Sequence, residues 1–172
     1  MLGKPEHGWA DITVGKEIIG RASYLTDPVL DCLNAFLQYF KDGNVLPFGV
    51  EFDAEGYSFG ITEFDKSLYI ISNDTNDAVP VLKEINPETF GLASFSSSRE
   101  IIACLATKCV KDIESDFDGW VHWFTYIDGS DKDDAVFFQH RKEELESKLL
   151  QLKDVLGKLE VFQYVTIVPE EN

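Results

Sequence analysis

The chain has 172 residues, 31 acidic and 15 basic, giving a net charge of −16; 44% are hydrophobic and 13% aromatic. This describes one folded acidic domain over residues 1–172 and excludes a disordered tail, which would be poorer in aromatics. It argues against direct nucleic-acid binding, which needs a cationic face, and no run of 18 apolar residues offers a membrane span.

Residues 9–25 read as two strands. Ala10, Ile12 and Val14 alternate with Trp9, Asp11 and Thr13, Gly15-Lys16 offers a turn, and Ile18 to Tyr24 continue. Asp27 can cap a helix whose first position suits Pro28. Val29, Leu30, Leu33, Phe36, Leu37 and Phe40 then follow at helical spacing as far as Asp42-Gly43-Asn44. Val45–Asp53, Tyr57–Ile61 and Leu68–Ser72 alternate as three antiparallel strands joined at Ala54-Glu55-Gly56 and Asp65-Lys66-Ser67. Asn73–Asp77 reads as a polar loop. Val79–Ile85 reads as a further strand that Pro80 confines to an edge.

The second half reads as mostly helical. Ser97 and Glu100 have capping-box spacing before an apolar stripe from Ile101 to Ile113. Asp128–Asp134 reads as a charged loop, and Ala135–Leu156 as the longest helix, ended by Gly157. Val161–Val168 reads as a closing strand. Strands first and helices later place the chain in the α+β class: an antiparallel meander of about five to six strands against three or more helices.

Cys32, Cys104 and Cys109 lie in apolar helical patterns and read as reduced, buried thiols. With no apolar signal core in the first seven residues, a cytoplasmic protein is expected.

The stretch Glu114-Ser-Asp116-Phe-Asp118-Gly119-Trp-Val121 has a calcium loop's oxygen ligands at alternate positions and its glycine. Its twelfth position is Thr125, where the bidentate glutamate belongs, so it reads as an acidic loop. His7, His122 and His140 lack partners at ligand spacing and read as structural. Asp53 and Glu55 flank a turn and read as solvent-facing. No phosphate loop, nucleophile elbow or metal motif is present, so no catalytic residue, metal or cofactor is assigned. An enzyme with an unrecognised carboxylate-based site, or a self-assembling structural module, is the alternative.

Leu145, Leu149, Leu152 and Leu156 repeat at intervals of four and three, which suits a helix packed on the sheet or a homodimer seam. The densest charge lies between Asp112 and Asp134, where eight acids against Lys132 alone give −7 over 23 residues. Trp120, Trp123, Phe124 and Tyr126 are interleaved. Carboxylates beside large aromatics suit an interface for a basic protein, although solubility alone also explains them. The candidate partner-binding residues are Asp112, Glu114, Asp116, Asp118, Trp120 and Trp123, continuing through Asp128, Asp131, Asp133 and Asp134.

The segments Ala22-Ser-Tyr-Leu-Thr-Asp27 and Phe52-Asp-Ala-Glu-Gly-Tyr57 resemble those of small acidic bacterial proteins similar to the immunity proteins of polymorphic toxin and contact-dependent inhibition systems. That resemblance covers the first third of the chain and transfers no catalytic residue. It implies an α+β protein that binds and blocks one toxin domain. A nuclease-like toxin would present a basic surface for it to cover.

Overall fold

The computed structural model describes residues 1–41, 46–74, 79–86, 88, 97–126 and 134–159. The predicted closing strand at 161–168, the helix stop at 42–44 and most of the charged loop at 128–134 lie outside them.

The class is α+β, but among the described residues six strands form two sheets rather than one meander. β1 (Trp9–Val14) and β2 (Glu17–Ser23) make an antiparallel hairpin, turning at Gly15 with φ 58°. The chain start extends this hairpin: the Met1 carbonyl accepts from Thr13 N at 2.9 Å, and Leu2 bridges Ile12. β3 (Gly49–Ala54), β4 (Tyr57–Phe64), β5 (Ser67–Asp74) and β6 (Val81–Glu84) form the second sheet, in that order and antiparallel throughout. β5 thus runs two residues into the stretch read as a polar loop. The edge placement of β6 agrees with Pro80.

Alternation decides which face of the larger sheet meets the core. Val50 and Phe52, Phe59 and Ile61, and Leu68 and Ile70 point inward and are buried. β2 crosses this inner face. A Cβ on Gly20 would lie 2.4 Å from the Phe59 ring, so only glycine lets hairpin and sheet approach this closely. The Ser23 hydroxyl donates to the Asp53 carbonyl at 3.4 Å, and Lys83 reaches Glu17 at 3.0 Å near the other end of β2. These contacts stack the hairpin on the sheet face rather than extending the meander.

α1 (Pro28–Lys41) begins as expected: the Asp27 carboxylate accepts from Leu30 N at 3.1 Å, and Pro28 holds the first position. Its apolar stripe is buried, with Phe36 stacked on Phe48 at 5.1 Å. α2 (Ser98–Ser115) is capped by Ser97, whose hydroxyl accepts from Glu100 N. α3 (Phe117–Val121) follows after one residue and leads into a 3₁₀ turn, Trp123–Tyr126.

α4 (Asp134–Gly157) packs on α1. Arg141 meets Asp27, Lys148 meets Asn34, and Gln151 meets Lys41, so the two helices run in the same direction. Leu145, Leu149, Leu152 and Leu156 are all buried within the chain. The leucine repeat is therefore an internal seam, and the homodimer reading loses the residues it needed.

Cys32 on α1 and Cys109 on α2 are both buried, and burial pushes the Cys32 thiol well above its ordinary range, with the neighbouring Cys109 adding to the shift. The thiolate is the reactive form. Alkylation of the native chain near neutral pH is expected to label Cys32 more than about tenfold more slowly than in urea. Equal rates would mean the α1–α2 contact opens freely.

Candidate functional site

The structure separates the predicted acidic surface into unlike parts. Asp112 is not a free surface charge. Its Oδ2 accepts from the Met1 ammonium at 2.7 Å and from Leu2 N at 3.0 Å, and its Oδ1 pairs with Lys108. Glu114 is exposed but bonds Lys153 at 2.6 Å. Asp118 is exposed and Asp116 half-buried, and neither forms an ion pair among the described residues. Asp128, Asp131 and Asp133 lie outside the described residues, and Asp134 is placed only as the first residue of α4.

Trp120 and Trp123 are core residues, 0% and 1% exposed. Their rings pack 5.4 Å apart, and Trp123 Nε1 donates to the Thr26 carbonyl at 2.9 Å. An anchor must be reachable before the partner arrives, so neither side chain serves as one in this conformation. The exposed apolar groups nearby are Val136 and Phe137, with Phe137 edge-on to Phe124 at 6.4 Å.

The calcium-like stretch is mostly helical. Asp116 separates α2 from α3: its N–H donates to the Ile113 carbonyl at 3.3 Å, and its carbonyl accepts from Trp120 N at 3.1 Å. Gly119 packs against the Asp116 carboxylate, where a Cβ would sit 2.8 Å away. Gly119 lies within α3, not in a metal-loop turn. Among the described residues, no three His, Cys, Asp or Glu side chains converge as metal ligands.

Two polar clusters lie elsewhere. In the first, Glu63 accepts from Ser98 Oγ and from Phe48 N at 3.1 Å. Burial, then Glu63, raises the Tyr39 phenol, while Arg99 and a hydrogen bond with Ser98 oppose the shift. One oxygen of Glu63 ties α2 to β4 and the other holds the residue just before β3, so the cluster reads as a structural tie.

The second joins Asp27, Asp31 and Arg141. Asp31 is pushed up from 3.8 to about 6, first by burial, then by Asp27; a backbone hydrogen bond from Asp27 opposes this, and Asp53 adds to it. The folded chain therefore holds this proton more tightly than the unfolded chain. Stability falls as pH rises from about 4 to about 6, and the deficit is constant above. Asp31→Asn is expected to stabilise by about 1 kcal/mol at pH 7, a figure discounted for a half-exposed site, and not at pH 3.5. Urea denaturation at both pH values checks this, and an equal gain at both would refute it.

A carboxyl that titrates near neutrality suits proton transfer when it lines a cleft. The open depression of about 380 Å³ lined by Glu114, Phe117, Glu146, Leu149, Leu150 and Lys153 does not include Asp31.

Sequence reasoning missed the outer face of the larger sheet. Glu51 and Asp53 on β3, Phe64 on β4, Tyr69 and Ile71 on β5, and Leu82 and Glu84 on β6 all point away from the core. The signal was present in Leu68-Tyr-Ile-Ile71. An unbroken apolar run marks a strand that is apolar on both faces.

No protein-family model, curated protein or solved structure matches the chain.

Proposed function

We propose that the chain is a non-catalytic, acidic binding protein of the immunity type, which neutralises a basic, nuclease-like toxin domain by covering its active or substrate-binding surface. The observation that carries this reading is a set of exposed carboxylates that form no ion pair among the described residues: Glu51, Asp53, Glu55, Glu84 and Asp118. On a chain of net charge −16 they make a negative field that speeds encounter with a cationic surface and repels other acidic proteins. Such an inhibitor needs shape and charge, not chemistry of its own. Asp31 favours the enzyme alternative by its raised pKa alone, since it does not line the depression beside Glu114 and Lys153.

The test is capture from nuclease-treated host lysate, followed by calorimetry with the purified partner across a salt series. The expected result is a basic protein bound at near-equal stoichiometry, losing affinity by tenfold or more between about 50 and 300 mM salt, and losing its own activity when bound. A partner that is acidic, or whose affinity is indifferent to salt, would remove the proposal.

A further inference from the structure

We propose that the solvent-facing side of β3–β6 is the docking surface, and that it receives an arginine-bearing face of a cationic partner protein. This rests on the reading of a cationic partner given above and assigns it a place and a chemistry.

An antiparallel sheet with one face on the core normally turns polar residues outward. This sheet departs from that pattern along a connected path. Phe64 is 71% exposed and Leu82 60%, while Tyr69 and Ile71 are half-exposed. Ile71 stands directly opposite Leu82, and Phe64 is paired with Ser67, two residues before Tyr69. Cross-strand and diagonal neighbours at this spacing touch, so the four side chains form one patch. Gly60 lies between Glu51 and Ile71 in the register. A Cβ there would lie 2.2 Å from the Val50 carbonyl, so the backbone of β3 keeps the position a glycine.

Acids bound the patch on two sides: Glu51 and Asp53 on β3, Glu84 on β6. Tyr69 pairs directly with Glu84. A phenol ring next to a carboxylate suits arginine, whose flat guanidinium stacks on the ring while donating to the carboxylate. A lysine ammonium makes only a point-charge contact. A second copy of the chain would bring the same acids against these acids. The edge of β6 is a poor alternative, because it is four residues long, preceded by Pro80, and carries Lys83 paired with Glu17.

The test uses octa-arginine and octa-lysine peptides as probes, titrated into the full chain and followed by amide chemical shifts at about 50 mM salt. The proposal expects perturbations centred on Tyr69, Ile71, Leu82 and Glu84, with the arginine peptide about two- to fivefold tighter than the lysine peptide. Tyr69→Ser should erase that preference, and the exposed Glu84→Gln should weaken both peptides. Equal affinities, or perturbations centred on Asp118 or Phe137, would overturn the docking surface while leaving a cationic partner in place. Failure of both peptides to bind would remove both readings. A doubled mass in solution that Leu82→Ser abolishes would make the face a self-interface. Nuclear Overhauser contacts from residues 160–172 to Tyr69 or Leu82 would make its occupant intramolecular. Either result overturns the proposal.

Discussion

Replacing Arg141 with methionine is expected to lower the unfolding free energy by about 3–5 kcal/mol, read as a fall in the urea midpoint at unchanged slope. The side chain is 4% exposed and makes every class of contact open to a guanidinium. Both terminal nitrogens bond the Asp27 carboxylate, the second at 3.0 Å. Nε donates to the Trp120 carbonyl at 3.2 Å, and the group lies 4.9 Å from the centre of the Phe124 ring. The loss is large because of what remains: a carboxylate at 15% exposure with its charge uncompensated, and a carbonyl beside a fully buried indole. Asp27→Asn keeps a capping side chain at the head of α1 but strands the guanidinium, so it is also costly. The double variant Asp27→Asn with Arg141→Met removes both charges and should cost less than the two single losses combined, by 1 kcal/mol or more. Additive losses would show that the pair is not coupled.

That pair joins residues 114 apart in sequence, which explains why part of this architecture was legible and part was not. Where one face of a segment meets the core, the pattern is local and readable. Pro28–Lys41 has its stripe, its cap and its proline at the first position. Val50 to Ile70 has its alternation, and Ser97 its place before α2. What residue type and spacing do not encode is the identity of the surface that covers a face. The leucines at 145, 149, 152 and 156 satisfy a dimer seam and an internal one equally. Packing on α1 decides between them. The split into two sheets rests on Gly20 meeting Phe59, an approach between strands 39 residues apart in sequence. The acidic segment is similar: its charge is dense along the chain, whereas Asp112 and Glu114 are neutralised in space by Met1, Lys108 and Lys153.

The two tryptophans turn that lesson into the second large effect. Trp123→Ala is expected to cost about 3–5 kcal/mol of stability, and Trp120→Ala a similar amount. Both indoles are enclosed, and each substitution opens a cavity beside the other ring. Trp123 has a further role: its indole N–H satisfies the Thr26 carbonyl just before the Asp27 cap, tying the 3₁₀ turn to the start of α1. Trp123→Phe keeps most of the apolar volume but leaves that carbonyl without its donor, so about 1–3 kcal/mol should still be lost. The Trp120 Nε1 atom is buried and has no hydrogen-bond partner among the described residues. Trp120→Phe therefore gives up volume but no hydrogen bond, and should be the milder of the two. Asp118→Lys, an exposed change on the same short helix, should move the urea midpoint within about 0.5 kcal/mol. An interface anchor would give the reverse order: alanine at either tryptophan tolerated by the free chain, with the loss appearing only on binding. If denaturation returns that order, the tryptophans leave the core in solution, and the acidic α2–α3 corner again becomes the stronger candidate for the docking surface.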